Sequence, residues 1–103
     1  MVVVRLVFQT KYGKAQEVVD QFKREAAIMR RVLGNDRRAR LYTDLSGPFH
    51  TVVQEIEVES LGEWEQIRAK MFASPEFEES QSSMTEMPLE SGRTEFYTLE
   101  ANL

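Results

Sequence analysis

Cysteine is absent from this chain of 103 residues, and histidine occurs once, at His50. The lack of cysteine excludes disulfides, thiolate nucleophiles and cysteine-rich zinc or iron–sulfur sites, and it is typical of proteins from reducing compartments. A single histidine also excludes a metal site built from two histidines of one chain. We therefore expect a cytoplasmic protein, and we predict no metal site.

The sequence also lacks a long hydrophobic run and the motifs of several enzyme classes. Its apolar start is interrupted by Arg5 and has no signal-peptide features, so we predict no membrane span. It contains no phosphate-binding loop, serine-hydrolase elbow or zinc motif, and we predict no cofactor. With 42% hydrophobic and 29% charged residues, the chain is interpreted as one globular domain over residues 1–103.

Charge is spread unevenly along the chain, although the net charge is only −4. Residues 1–54 hold 10 basic and 5 acidic side chains, whereas residues 55–103 hold 3 and 12. Arg30 and Arg31 suit the negative end of a helix, and Arg37, Arg38 and Arg40 suit a sheet edge that pairs with the acidic second half. Because no aromatic residue lies between these arginines to stack on bases, we predict no nucleic-acid binding.

Alternating hydrophobicity predicts four strands. In the third strand, for example, Val52, Gln54 and Ile56 share one face and Glu55 lies on the other. The predicted strands are Val2–Gln9, Arg38–Leu45 with Leu45 facing inward, His50–Glu59, and Arg93–Glu100 after a loop over Pro88–Gly92.

Apolar residues at three- and four-residue steps predict two helices. The first covers residues 15–33 and stops at Gly34-Asn35, since glycine favours the backbone conformation that ends a helix. Ser60 and Glu63 form a capping box for the second. We expect that helix to break near Ala73 and to restart at Ser74-Pro75.

This β-α-β-β-α-β order predicts an α+β, ferredoxin-like fold, with a four-stranded antiparallel sheet and both helices on one face. The other face is expected to be too apolar for open water, so we predict a homodimer that packs two such faces together, with Arg5 paired to Glu55 or Glu57. The residues predicted on this face are Val3, Arg5, Val7, Gln9, Tyr42, Val53, Glu55, Tyr97 and Leu99.

Four segments carry a resemblance that spans nearly the whole chain: the Gly13-Lys14 entry to the first helix and residues 41–48, 53–64 and 71–77. In these segments the chain resembles the dimeric α/β-barrel superfamily, in which two ferredoxin-like subunits join their sheets into one barrel. Within it the chain is most similar to the NIPSNAP-like and antibiotic-biosynthesis-monooxygenase-like branches. Such a likeness of turns and small residues indicates fold more than activity.

The resemblance implies a cavity between sheet and helices, which some relatives use to bind aromatic or polycyclic compounds. The haem-degrading relatives carry an axial histidine on the second helix, and residues 61–86 contain none, which argues against haem. Aromatic and methionine stripes also commonly fill a core, so the alternative is a cavity closed by its own side chains. The implied lining is Phe8, Phe22, Gln54, Trp64, Met71 and Phe72.

Three functions remain open. The first is binding of a small apolar or aromatic molecule. The second is a cofactor-independent monooxygenase acting on a phenolic or polyketide-like substrate, in which Trp64 shapes the cavity, Gln54 orients the substrate and His50 takes its proton. The third is a structural or regulatory dimer without a ligand. Gln54 is the polar exception on an apolar strand face, and a buried amide must be hydrogen-bonded or cost about 1–3 kcal/mol.

Overall fold

The computed structural model describes residues 1–34, 38–84 and 87–103, without the side chains of residues 81–84. Strands and helices follow one another along these residues as the hydrophobic periodicity predicts. In chain order they are β1 (Val2–Thr10), α1 (Ala15–Leu33), β2 (Ala39–Thr43), β3 (Thr51–Val58), α2 (Leu61–Ala73), α3 (Pro75–Met84) and β4 (Leu89–Thr98).

The four strands form one antiparallel sheet in the order β2-β3-β1-β4. This topology, with α1 and the α2–α3 pair as the two helical connections, confirms the predicted ferredoxin-like fold. β1 and β3 are the two central strands, so the N-terminal strand lies beside the β2–β3 hairpin in one sheet.

Helix capping sets the boundaries of the second helical segment. Ser60 Oγ accepts a hydrogen bond from the backbone N–H of Glu63 at 3.1 Å, as the capping box predicts. At the break, Ser74 Oγ accepts from the backbone N–H of Phe77 at 3.4 Å, and Pro75 occupies the first position of α3. The predicted interruption near Ala73 is confirmed, since α2 ends at Ala73 and α3 begins at Pro75.

Two separate groups of buried residues hold the helices on the sheet. The first core cluster joins β1 and β3 to α2 and α3, and the second joins β3 to α1. Val52 and Ile56 of β3 lie on the same face of the sheet, because side chains alternate along a strand. They belong to different clusters. The first core cluster is Val4, Ile56, Val58, Ile67, Met71 and Phe77, and the second is Val18, Val19, Phe22 and Val52.

Two predicted strand boundaries are wrong. The last strand begins at Leu89, not at Arg93, because the segment predicted as a loop pairs with the end of β1 and Leu89 packs against the second core cluster. The second strand ends at Thr43, and Leu45 is fully exposed, not inward-facing. The reason is a turn in which Asp44 Oδ1 accepts a hydrogen bond from the backbone N–H of Thr51 at 2.9 Å.

The sheet face opposite the helices carries a cluster of charges centred on Arg5. Its guanidinium lies 3.0 Å from Glu95 Oε1 and 3.8 Å from Glu55 Oε2, so the predicted pair with Glu55 is confirmed and Glu95 is an additional partner. Val7 and Val53, which pair across this face, are already buried in a single chain. Tyr42 and Tyr97 of the same face are exposed.

The basic stretch lies where its charges meet acidic residues. Arg30 and Arg31 occupy the last turn of α1, and Arg31 pairs with Glu76 of α3. Arg38 lies 3.4 Å from Glu57. Gly34 ends α1 with φ 89° and donates its N–H to the carbonyl oxygen of Arg30. Asn35 and Arg37, which the sequence analysis also singled out, lie outside the described residues.

Within the described ranges, none of the helices combines the length and the apolar character needed to cross a bilayer.

The close packing of Gly92 of β4 against the ring of Phe8 generates a first prediction. A Cβ atom at position 92 would lie 2.9 Å from Phe8 Cδ1, so Gly92→Ala forces this ring towards Phe22, whose centroid is 5.1 Å away. Overpacking of this kind costs about 1–3 kcal/mol. We expect the variant to lower the free energy of unfolding in urea by about 1 kcal/mol or more.

The matched control is Gly62→Ala in α2. A Cβ atom there lies 3.6 Å from Ser60 Oγ, which is an ordinary contact, and alanine is favoured over glycine in a helix by about 0.5–1 kcal/mol. We expect this variant to be as stable as the wild type or slightly more stable. If the Gly92→Ala variant were also as stable as the wild type, the segment of β4 at residues 89–92 would not pack on Phe8.

Candidate functional site

A cavity of about 460 Å³ lies between the sheet and the helices. Members of both core clusters line it, namely Phe22 of the second cluster and Ile67, Met71 and Phe77 of the first. Its volume falls within the range of about 300–1,000 Å³ that is typical of ligand sites. The described side chains leave this space open, which speaks against an interior closed by its own side chains.

Gln54 faces the cavity from the middle of the sheet. It lies between Val52 and Ile56 on the helix-facing side of β3, and its neighbours across the strands are Leu6 and Leu41. Among the described residues its amide makes no hydrogen bond to the protein, so it does not serve to hold a backbone group there. A partly buried amide without a partner is costly, and the cavity is where a partner can enter.

Aromatic side chains form most of the remaining wall. Phe8 and Phe22 pack at a centroid distance of 5.1 Å, and Phe72 meets Phe77 edge to face at 5.6 Å. The structure brings all the residues of the implied lining, Trp64 and Met71 included, to this one cavity. Phe72 and Phe96 are 58% and 49% exposed, so they mark its mouth.

His50 lies elsewhere. It precedes β3 in the loop after β2, with φ 60°, and its ring packs against Tyr12 at 4.9 Å and against Phe49 at 6.3 Å. It is not among the residues that line the cavity. The structure therefore does not bring His50 together with Gln54 and Trp64 around one bound molecule.

Glu25 is the functional candidate that the sequence analysis missed. Its side chain is only 7% exposed, and it lines the cavity from α1 between Phe22 and Met29. Burial is the main effect and raises the pKa of Glu25 above its ordinary value of 4.5, against the opposing effects of Gln21, Ser80 and Arg24. The signal was present in the sequence, since Glu25 lies three residues after Phe22 and four before Met29, on the same helix face.

A chain of hydrogen bonds leads from the surface to this carboxylate. The guanidinium of Arg24 donates to Gln21 Oε1 at 2.6 and 3.2 Å, and Gln21 Nε2 donates to Ser80 Oγ at 3.0 Å. Ser80 Oγ donates in turn to Glu25 Oε1 at 3.3 Å. The carboxylate of α1 is thus connected to α3 through Ser80.

One further charge touches the cavity. Arg68 of α2 lines it and places its guanidinium 5.9 Å above the ring of Phe72 at the mouth. Glu25 and Arg68 are the only charged members of the lining in the part of the chain that the structure describes. The same residues include no group of three histidine or acidic side chains placed to hold a metal ion.

Comparison with known proteins gives similarity in structure alone. No family model matches the sequence, and no curated protein matches it. An uncharacterised NIPSNAP domain protein from Burkholderia xenovorans superposes with a TM-score of 0.83 at 20% identity, covering 98% of this chain and 96% of that one. A second, NIPSNAP-like domain protein from that organism gives 0.82 at 24% identity, with 99% and 88% covered.

Enzymes are also among the similar structures. SnoaB, a cofactor-independent oxygenase from Streptomyces nogalater, superposes with a TM-score of 0.70 at 19% identity, covering 99% of this chain and 95% of that one. The fold is that of the NIPSNAP and antibiotic-biosynthesis-monooxygenase proteins. The resemblance stated from the sequence is thereby confirmed for the fold. Sequence identities this low support a conclusion about the fold alone.

The buried carboxylate generates a second prediction, on stability. Because the pKa of Glu25 is higher in the folded chain than in the unfolded one, its ionisation as the pH rises above about 4.5 works against folding. Glu25→Gln keeps the shape without the charge. We expect this variant to have a higher Tm than the wild type at about pH 8, and the difference to shrink as the pH falls below about 4.5.

The control is Glu17→Gln, which removes an exposed carboxylate of the same helix that pairs with Lys14 at 3.2 Å. It should give no gain in Tm at about pH 8, because an exposed pair contributes about 0–1 kcal/mol. A Glu25→Gln variant that is less stable than the wild type at high pH and unchanged at low pH would contradict the desolvation of Glu25.

Proposed function

We propose that this chain binds a small, largely apolar organic molecule in the cavity between its sheet and its helices. The observation that carries the proposal is that a cavity of about 460 Å³, lined by members of both core clusters, stays open between the sheet and the helices. A space that served only packing would be filled, since protein interiors are close-packed and contain few voids larger than a water molecule.

The chemistry of the wall supports an aromatic ligand. Phe8, Phe22 and Trp64 offer flat apolar surfaces, while the amide of Gln54 supplies both hydrogen-bond donors and an acceptor. Ligand sites commonly combine a mainly apolar lining with a few polar groups that fix orientation. In this proposal Gln54 orients the molecule, the aromatic residues hold it, and Phe72 lies at the entrance.

Partial filling of the mouth tests the proposal. Thr94 is an exposed residue of the edge strand β4 that also lines the cavity, so Thr94→Phe adds bulk there without disturbing either core cluster. We expect the wild type to bind 2-methoxynaphthalene in equilibrium dialysis and Thr94→Phe to weaken that binding about tenfold or more. The single indole resonance of Trp64 should shift on binding to the wild type.

Thr98→Phe is the control, because residue 98 lies on the same face of the same strand and is exposed, but does not line the cavity. It should bind the probe as the wild type does. Absence of probe binding to the wild type, or equal binding by the Thr94→Phe variant, would overturn the proposed function.

We further propose that two copies join through the sheet faces opposite the helices. Support comes from Tyr42 and Tyr97, which are 41% and 49% exposed on that face, and whose hydroxyls donate to Glu55 and Glu95. The charges around them are already paired within one chain, with Arg93 donating to Glu95 and holding the pKa of that carboxyl below its usual range. A surface whose charges are already paired and whose exposed side chains are aromatic can be buried against a copy of itself.

Light scattering tests this association, with an expected mass of twice one chain at micromolar concentration. Combined substitution of Tyr42 and Tyr97 by alanine should raise the dissociation constant at least tenfold, since buried tyrosines contribute strongly at interfaces. Leu61→Ala, which trims an exposed side chain of α2, should leave the mass unchanged. A single-chain mass for the wild type at every concentration would refute the dimer.

Oxygenation of a bound phenol is the second candidate function. The observation that favours it is Glu25, a buried carboxylate of raised pKa that lines an aromatic cavity and is suited to take a proton from a phenolic ligand. Such a role would fall to Glu25 and not to His50, which does not line the cavity. Dioxygen uptake above the protein-free rate, measured with 2-naphthol, is the readout.

A further inference from the structure

We propose that the ligand of this cavity is an organic anion, with an apolar body that ends in a carboxylate, and that Arg68 binds this carboxylate at the mouth. The inference rests on the proposed binding function and adds the charge and the orientation of the ligand. It makes Arg68 a residue that determines specificity, by separating an anion from a neutral molecule of similar shape.

The mouth of the cavity is the first support. Four of the lining residues are exposed and define this mouth: Arg68 and Phe72 of α2, and Thr94 and Phe96 of β4. Arg68 is the only one of the four that carries a charge. When the apolar body of a ligand fills the interior, its outer end lies in the opening that these residues surround.

The guanidinium of Arg68 is the second support, because it has free capacity to donate hydrogen bonds. Its nearest acceptor is Glu65 Oε1 at 3.7 Å, which is too long for a hydrogen bond, and Glu65 does not line the cavity. Such an exposed ion pair is weak. A ligand carboxylate could instead accept the bidentate pair of hydrogen bonds for which the planar guanidinium is suited.

The ring of Phe72 places this guanidinium beside the opening. Arg68 Cζ lies 5.9 Å from the centroid of the ring, and the side chain of Arg68 is 50% exposed. An arginine on an aromatic face is attracted by the electrons of the ring and keeps its N–H donors at its edge. A carboxylate at the mouth can therefore reach these donors while it stays partly hydrated.

Glu25 is the second charge of the lining, and it orients the ligand. It is buried and belongs to α1, whereas Arg68 is exposed and belongs to α2. A carboxylate at the inner end of the ligand would lose its hydration and meet the like charge of Glu25. The apolar end must therefore enter first, towards the paired rings of Phe8 and Phe22.

The test compares two probes that differ in charge. 2-Naphthoate and methyl 2-naphthoate share a ring system and a carbonyl group, but only the first is an anion. In equilibrium dialysis at about pH 8 we expect Arg68→Gln to weaken binding of 2-naphthoate about fivefold or more, because a hydrogen bond between charged groups is lost. Binding of the ester should change by less than about twofold, which also shows that the variant is folded.

Lys70→Gln is the matched control. It removes a positive charge from the same helix, at an exposed residue that does not line the cavity. We expect this variant to bind both probes as the wild type does. If it weakened binding of 2-naphthoate as much as Arg68→Gln does, the overall charge of the helix would account for the effect, and the contact assigned to Arg68 would be wrong.

The outcomes separate this inference from the proposed function. Unchanged binding of 2-naphthoate by Arg68→Gln, or equal weakening of both probes, overturns the role of Arg68 but leaves binding in the cavity intact. Tighter binding of 2-naphthylmethylammonium than of 2-naphthoate by the wild type overturns the anionic class, since Glu25 would then set the preference for charge. Failure of the wild type to bind 2-naphthoate, its ester and 2-methoxynaphthalene overturns the function on which the inference rests.

Discussion

The structure depends on one packing constraint, which is that α1 and the α2–α3 pair meet the same sheet face at two places and leave a gap between them. Side chains on β3 alternate, so Val52 and Ile56 each anchor one core cluster, and the residue between them must face the gap. That residue is Gln54. Its amide gives the cavity a polar group on the sheet side.

The division of the core also explains where charge is tolerated. Glu25 is buried without a direct ion pair at bonding distance among the described residues, which would be unfavourable in a closed core. Here it faces the cavity and is held by Ser80, while Gln21 and Arg24 extend the hydrogen bonds towards solvent. The protein thus gives up some stability at this carboxyl to keep a polar group where a ligand would bind, as functional sites often do.

The sheet face opposite the helices is organised around paired charges. Arg5 lies between Glu55 and Glu95, and its guanidinium stands 5.9 Å from the ring centroid of Tyr97. These contacts pair the charges within one chain, and Val7 and Val53 of the same face are also buried within one chain. A surface of this kind can remain in water or be buried against a copy without leaving an unpaired charge.

Periodicity, capping residues and turn residues determined the element order, the topology and the split after Ala73, because these signals are local and each residue contributes through its own neighbours. The same signals placed Phe8, Phe22, Gln54 and Trp64 on the correct faces. Tertiary structure alone decided that the interior stays open, that β4 begins at Leu89 and that Glu25 is buried. Each of these depends on contacts between segments distant in sequence, where packing outweighs the preference of a single residue.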